Sequence, residues 1–229
     1  MTPEAADSLR RAAAHALVER VDAPVLDDDA AHHLFRVLRI RDGDVVTVTD
    51  GAGSWCACRA VAGGIEPDGE PGFVARRDPP TAVAFAIPKQ DRPEWIVQKL
   101  TELGIDRIVL LHADRSVVRW APDRAAKHVA KLRRVAAEAL QQSRGVWLPS
   151  IEGPVVARDV LDGFAVAEPG GDAARGTGGM PSAVAIGPEG GWSPEELAVA
   201  ATTVCLGATV LRVETATIVA AARMIDHGP

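Results

Sequence analysis

Short apolar segments alternate with amphipathic ones from residue 82 onward, and this alternation constrains the fold more than any other feature. Ile96, Leu100 and Leu103 share one face of a predicted helix, and Pro122 opens a long helix over residues 122–143. Strands alternating with helices form a mostly parallel sheet covered by helices, so we predict an α/β fold. The predicted strands cover residues 82–87, 108–111, 164–167, 183–186 and 204–206.

The N-terminal region has a different pattern, with short strands joined by tight turns. Residues 45–49 alternate as a half-buried strand, Asp50-Gly51 is a hairpin signal, and residues 55–61 form the predicted return strand. This pattern predicts a small β-barrel or curled sheet. Pro79-Pro80 suits neither a helix interior nor a central strand. We therefore predict three parts, namely a first domain at 1–75, a linker at 76–80 and a second domain at 81–229.

The composition excludes several classes of protein. Hydrophobic residues make up 47% of the chain and charged residues 24%, which argues against global disorder. The three cysteines lack C-x-x-C spacing, which indicates a reducing compartment and no disulfide framework. No apolar run reaches the roughly 18 residues of a membrane span, and the acidic, polar N-terminus is unlike a signal peptide. We expect a cytoplasmic protein without a membrane segment.

The net charge of −6 is unusual for a protein that binds nucleic acid, but the charge is unevenly distributed. Residues 1–75 carry −6, residues 76–149 carry +6 and residues 150–229 carry −6. A basic middle can bind a polyanion locally, because charges interact over only about 8–10 Å at physiological salt. On charge alone, a solvated basic helix face explains the pattern better.

Two junctions between a strand and a helix could bind a ligand. Ile186-Gly187-Pro188-Glu189-Gly190-Gly191 precedes the capping box Ser193-Pro194-Glu195-Glu196, and its glycines allow backbone amides to approach a ligand. It lacks the lysine of a phosphate-binding Walker A loop, and by itself a purely structural turn is the better interpretation. In the second junction, residues 206–216, the charges of Arg212 and Glu214 must be paired with each other or with a neighbour.

Basic segments offer a second kind of candidate site. The helix over 122–143 has an apolar stripe opposite a basic one, which is either a solvated face or a phosphate-contacting face. The segment over 32–41 is dense in arginine, with the same two interpretations. His32 and His33 could suggest a metal, but no further ligand set lies nearby, so we predict none.

Five segments taken in order resemble the RsmE family within the SPOUT methyltransferase superfamily. They are HHLFRVLRIRDGD (32–44), KQDRPEWIVQKLTELGIDRIVLL (89–111), RVAAEALQQSRG (134–145), AIGPEGGWSPEEL (185–197) and LGATVLRVETATIVA (206–220). The resemblance implies a PUA-like β-barrel followed by a SPOUT-type α/β domain with a trefoil knot. It also implies a homodimer that binds S-adenosylmethionine and methylates N3 of a uridine in small-subunit (16S) ribosomal RNA.

The resemblance further implies which residues form the site. Because the uridine N3–H is weakly acidic, our own hypothesis is that Glu214 acts as the catalytic base or orienting group and that Arg115 or Arg144 stabilises the developing uracil anion. The implied S-adenosylmethionine contacts are Glu168, Ile186, Gly187, Pro188, Glu189, Gly190, Gly191, Leu206, Gly207, Leu211, Arg212, Thr215 and Ala216. The implied RNA contacts are His33, Arg36, Arg39, Arg41, Lys89, Lys99, Gln141 and Arg144.

Three alternatives stay open at this point. Related enzymes methylate a different base or the ribose 2′-oxygen, but those acting on ribose carry an Asn where this chain has Pro188. A non-catalytic RNA-binding protein would carry the same basic segments without binding S-adenosylmethionine. An ATP- or GTP-dependent enzyme is disfavoured by the missing Walker lysine.

Overall fold

The computed structural model describes residues 3–171 and 180–225. Contacts divide the chain into one unit formed by Met1–Arg76 and Ala137–Leu148 and a second formed by Arg77–Ala136 and Pro149–Pro229. The domain boundaries predicted from the sequence stay a prediction. Most of the glycine-rich stretch over residues 170–179 lies outside the described residues.

The first unit is a five-stranded sheet with short helices. Its strands are β1 (Ala14–Leu17), β2 (Val45–Thr49), β3 (Ser54–Val61), β4 (Gly64–Pro67) and β5 (Gly72–Phe73). They run in the order β1-β2-β3-β4, with β5 beside β3, and only the β1–β2 pair is parallel. The helices are α1 (Pro3–Arg11) and α2 (Asp28–His32), and a π-helical turn (His33–Val37) follows α2.

The predicted hairpin is confirmed, because β2 and β3 pair in antiparallel register. Val46 and Val48 of β2 pack with Cys56 and Cys58 of β3, and all four side chains are fully buried. All three cysteines are free. Burial raises the pKa of the Cys58 thiol to about 12, so this side chain packs as a neutral apolar group. The sequence did not predict β1, whose residues Ala-His-Ala-Leu carry no β-branched side chain.

His15 of β1 is a polar group in the interior of this unit, with only 6% of its surface exposed. Its Nε2 lies 2.9 Å from the carbonyl oxygen of Gly145, which can only accept, so Nε2 carries the proton. Its Nδ1 then accepts from the Thr47 hydroxyl at 2.8 Å. Burial, together with a smaller effect of the positive charge of Arg144, lowers the pKa of His15 from 6.5 to about 4. The ring is therefore neutral in the folded protein near pH 7.

The second unit is a six-stranded parallel sheet with helices, as the α/β prediction required. The strands are β6 (Ala82–Ala86), β7 (Arg107–His112), β8 (Ser150–Val156), β9 (Ala165–Ala167), β10 (Ala183–Ile186) and β11 (Thr202–Val204). Their order in the sheet is β11-β9-β10-β6-β7-β8, and every neighbouring pair is parallel. The helices are α3 (Arg92–Glu102), α4 (Pro122–Ser143), α5 (Pro194–Val199) and α6 (Val213–Ile225), and two 3-10 turns (Ala157–Asp159 and Leu161–Gly163) follow β8.

One predicted strand in this unit was wrong in position, and another strand was missed. The last strand ends at Val204, whereas the sequence placed it over 204–206. Helix α6 begins at Val213, so Thr215 lies inside its first turn. Strand β8 was missed because Gly153 and Pro154 interrupt it. Proline is tolerated there because β8 lies at the edge of the sheet.

Helix α4 has the two faces that its sequence predicts. Val129, Leu132, Ala136 and Leu140 are buried, with at most 7% of each side chain exposed. The opposite face carries Arg124, Lys127, Lys131 and Arg134, all exposed. In the part of the chain that the structure describes, no helix combines the length and the apolar character needed to cross a membrane.

The low pKa of His15 predicts a specific dependence of stability on pH. Below pH 6.5 the unfolded chain binds a proton that the folded protein does not bind until about pH 4. We therefore expect the free energy of unfolding of wild type, relative to that of His15→Gln, to decrease by up to about 3 kcal/mol as the pH falls from 6.5 to 4. Urea unfolding of both proteins across this range measures the difference, and acidic groups common to both proteins cancel. A difference that stays constant with pH would contradict the assignment.

Candidate functional site

The candidate site lies where three neighbouring parallel strands end. Because β11, β9 and β10 are adjacent and parallel, their carboxyl ends meet at one edge of the sheet, where ligands bind in open α/β folds. The loops that follow these strands enclose a pocket of about 230 Å³. The pocket is lined by Ala167, Glu168, Pro169, Ile186, Gly187, Pro188, Glu189, Gly191, Cys205, Leu206, Gly207, Thr209, Val210, Leu211 and Ala216.

The loop over residues 187–191 is shaped by contacts that only glycine permits. A Cβ on Gly187 would lie 2.8 Å from the Trp192 ring, closer than real Cβ atoms approach. The indole Nε1 of Trp192 donates to the carbonyl oxygen of Ala167 at 3.1 Å, so the same ring joins this loop to the end of β9. Gly191 closes a turn by donating to Pro188 at 2.8 Å, with a φ of 71° that glycine adopts without strain.

The helix after this loop begins as the sequence predicts. The Ser193 hydroxyl accepts from the Glu196 backbone N–H at 3.2 Å, and the Glu196 carboxylate accepts from the Ser193 backbone N–H at 2.8 Å. Both halves of the capping box are therefore present, with Pro194 in the first turn. This cap fixes where the 187–191 loop ends.

Arg115, predicted as an anion-stabilising residue, lies against the same loop. Its Nη1 donates to the Gly190 carbonyl oxygen at 3.1 Å. A Cβ on Gly190 would lie 3.2 Å from the Arg115 Cβ, so this approach leaves little room for a side chain at position 190. The structure thus brings Arg115, in the segment after β7, to the loop that lines the pocket.

Glu214, the candidate base, pairs with a residue that the sequence did not identify. Its Oε1 lies 3.4 Å from Nη1 of Arg92 on α3, whereas Arg212 is exposed. Its Oε2 is buried and has no hydrogen-bond partner among the described residues. A buried acceptor without a partner costs about 1–3 kcal/mol, so a donor from a bound molecule would stabilise it. Glu214 itself does not line the pocket, although Ala216 in the same helical turn does.

Most residues predicted to contact a cofactor line this one pocket. The exceptions are Gly190, Arg212 and Thr215, which do not line it. Five lining residues were not assigned from the sequence, namely Ala167, Pro169, Cys205, Thr209 and Val210. Four of them lie next to an assigned residue and Thr209 lies two residues after Gly207, and all five are at the end of a predicted strand or in the loop after it. The meeting of parallel strand ends was therefore the signal that could have identified them.

The residues predicted to contact RNA lie elsewhere, and none of them lines this pocket. His33, Arg36, Arg39 and Arg41 are exposed on the first unit, and Lys89 is exposed on the second. Lys99 donates to the Glu102 carboxylate at 2.7 Å.

Gln141 and Arg144 already have partners inside the first unit. The Gln141 carbonyl accepts from the Leu17 backbone N–H at 3.3 Å, and Arg144 donates to the Leu9 carbonyl oxygen at 2.7 Å. Among the residues with described positions, no group of three or more His, Cys, Asp or Glu side chains could hold a metal ion.

Comparison with known proteins decides the family. The sequence profile described as "RNA methyltransferase domain" matches residues 76–225, and one described as "RNA methyltransferase PUA domain" matches residues 26–60. Ribosomal RNA small subunit methyltransferase E of Mycobacterium bovis is 33% identical over 223 residues, covering 86% of this chain and 83% of that protein. The chain belongs to the RsmE family of RNA methyltransferases. The resemblance seen in the sequence is confirmed.

Other RsmE-like proteins agree in sequence and fold. The Synechocystis ribosomal RNA small subunit methyltransferase E is 29% identical and covers 84% of this chain and 69% of its own length. A crystal structure of the Neisseria gonorrhoeae ribosomal RNA small subunit methyltransferase E, bound to S-adenosyl methionine, aligns with a TM-score of 0.74. The two proteins are 25% identical in sequence, and the alignment covers 92% of this chain and 96% of the Neisseria gonorrhoeae chain. The predicted SPOUT-type α/β fold with a PUA domain is thereby confirmed.

The contact between Gly187 and Trp192 makes a testable prediction about this RsmE-type loop. Gly187→Ala should lower the free energy of unfolding by about 1–3 kcal/mol, because the added Cβ displaces a packed ring. Gly207→Ala is the matched control, since a Cβ at that lining position meets no atom within 4 Å. We expect a change of less than about 0.5 kcal/mol for the control. Equal destabilisation of both variants in urea unfolding would count against this loop geometry.

Proposed function

We propose that this protein uses S-adenosylmethionine to methylate N3 of a uridine in small-subunit ribosomal RNA. The observation that carries the proposal is the pocket at the ends of β9, β10 and β11, formed by the loops that the RsmE resemblance assigns to the methyl donor. Support comes from the Neisseria gonorrhoeae relative, whose structure contains S-adenosyl methionine. The M. bovis and Synechocystis relatives are named as ribosomal RNA small subunit methyltransferases.

The chemistry of the pocket suits S-adenosylmethionine. Ile186, Leu206 and Leu211 offer apolar surface for the flat adenine ring. Glu168 and Glu189 offer carboxylates that can accept from ribose hydroxyls or the ammonium group. The donor carries positive charge on its sulfonium, and the described residues that line the pocket include two glutamates and no lysine, arginine or histidine. Gly187, Gly191 and Gly207 leave the backbone open to close approach.

The mechanism requires alignment of the uridine and removal of one proton. S-adenosylmethionine, when bound, supplies a methyl group that is already electrophilic. Holding the uridine N3 in line with it can lower the barrier by roughly 7–11 kcal/mol. Glu214 is our candidate to orient or accept the N3 proton, since its Oε2 is an acceptor without a partner in the described structure. Arg115 is our candidate to stabilise negative charge that develops on the uracil oxygens.

The alternatives are less well supported. Ribose methylation by related enzymes uses a loop with Asn where this chain has Pro188, which lines the pocket. A protein that only binds RNA has no need of a formed pocket at the ends of three strands. Use of ATP or GTP is disfavoured because none of the described residues that line this pocket is a lysine.

The assembly and compartment belong to the same proposal. We propose a homodimer with the active site at the subunit interface and a trefoil knot formed by the loops around β10 and β11, as the RsmE resemblance implies. The RNA contacts predicted on the first unit would bind the substrate through exposed arginines such as Arg36 and Arg39. A ribosomal RNA substrate is assembled into subunits in the cytoplasm of bacteria, so we propose a cytoplasmic protein.

Isothermal titration of S-adenosylmethionine into the full-length protein tests the methyl-donor proposal. We expect saturable binding of S-adenosylmethionine and none of ATP, because the pocket is largely apolar and carries acidic rather than basic side chains. Absence of S-adenosylmethionine binding by the folded protein would overturn the enzyme proposal and favour a protein that only binds RNA.

Replacement of Glu214 by Gln tests its role in proton removal. If Glu214 accepts the N3 proton, Glu214→Gln should lower kcat for methyl transfer by at least about 100-fold. The affinity for S-adenosylmethionine should persist, because Glu214 does not line the pocket. Glu195→Gln, at an exposed position on α5, is the control and should retain the full rate. A normal rate in folded Glu214→Gln would remove Glu214 as the base.

A further inference from the structure

The Glu196 carboxylate makes one contact more than its helix cap requires. The side chain is 1% exposed, and its Oε2 completes the capping box by accepting from Ser193. Its Oε1 accepts from the backbone N–H of Asp114 at 2.8 Å, in the segment after β7. One buried carboxylate therefore fixes the start of α5 and the segment after β7 together.

Asp114 returns this contact through its own side chain. Its Oδ2 accepts from the Ser193 hydroxyl at 2.7 Å and from Nη2 of Arg158 at 2.7 Å. The hydrogen bond from Ser193, followed by that from Arg158, lowers the pKa of Asp114, so this carboxylate is charged near neutral pH. Residues 114, 193 and 196 thus form a closed set of hydrogen bonds between the two segments.

The residue that follows Asp114 is Arg115, our candidate for stabilising the uracil anion. Its side chain is exposed, and it reaches the pocket-lining loop by donating to the Gly190 carbonyl oxygen at 3.1 Å. A long exposed side chain takes its position from the backbone that carries it. That backbone is held at the adjacent Asp114 N–H by Glu196.

From this connection we infer that Glu196 is a positioning residue, which holds Arg115 at the active-site loop by fixing the Asp114 backbone. The inference rests on the proposed function. Its physical reason is that electrostatic stabilisation of a transition state depends on preorganised geometry, and a misplacement of about 1 Å can cost on the order of 100-fold in rate. Glu196 contacts no lining residue through its side chain in the described contacts, so it acts through Arg115.

A double-mutant cycle on the full-length protein tests this role. The variants are Arg115→Ala, Glu196→Gln and the two combined, with kcat and KM measured at saturating S-adenosylmethionine on small ribosomal subunits that lack the methyl group. Glu195→Gln is the matched control, because it removes a neighbouring carboxylate that is exposed. In the wild-type background, Arg115→Ala should lower kcat by about 100-fold.

The prediction is that the two substitutions are not additive. In the Glu196→Gln background, Arg115→Ala should lower kcat by less than about 10-fold, whereas in the Glu195→Gln background it should keep its full effect. Losses that multiply in the double variant would assign Glu196 a purely structural role and overturn the inference. If Glu196→Gln does not fold, Glu196→Asp, whose side chain is too short to reach both N–H groups, replaces it in the cycle with the same two outcomes. Wild-type protein that transfers no methyl group would instead overturn the proposed function itself.

Discussion

The pairing of β9 with both β10 and β11 is the constraint on which the candidate site depends. These three parallel strands end at the same edge of the sheet, so three loops distant in sequence converge there. Trp192 then holds two of the strand ends together through its contact with Gly187 and its hydrogen bond to Ala167. The pocket is a consequence of strand order and of glycines that permit close approach, with the side chains of the loops deciding what it can bind.

Charges interact over short distances, so a protein with a negative net charge can still bind a polyanionic substrate through a locally basic surface. Several cations of the basic middle segment already have partners, as with Lys131 at Glu94 and Arg107 at Glu152. Such exposed pairs contribute about 0–1 kcal/mol each to stability, so they fix side-chain positions more than they stabilise the fold. Arg115 differs, because its hydrogen bond in the described structure is to the carbonyl oxygen of Gly190 and not to a carboxylate.

Segments with strong local signals could be predicted from the sequence, and contacts between distant segments could not. Helix α4 begins at Pro122 and ends at Ser143 as predicted, and the capping box places α5 correctly. Strand β8 was missed because an edge strand tolerates a Gly-Pro pair that local rules exclude. The loops of the site could be assigned by resemblance. The pairing of Glu214 with Arg92 and the hydrogen bond between Glu196 and Asp114 depend on tertiary packing, so the sequence alone could not predict them.

The most direct test of the central claim is to identify the methylated atom. The full-length protein would be incubated with labelled S-adenosylmethionine and small ribosomal subunits that lack the modification, and the RNA would then be digested to nucleosides for mass spectrometry. The account predicts label in N3-methyluridine at a single site, and about 100-fold less initial incorporation when the Arg115→Ala protein is used. Label on a ribose oxygen or on another base would contradict it.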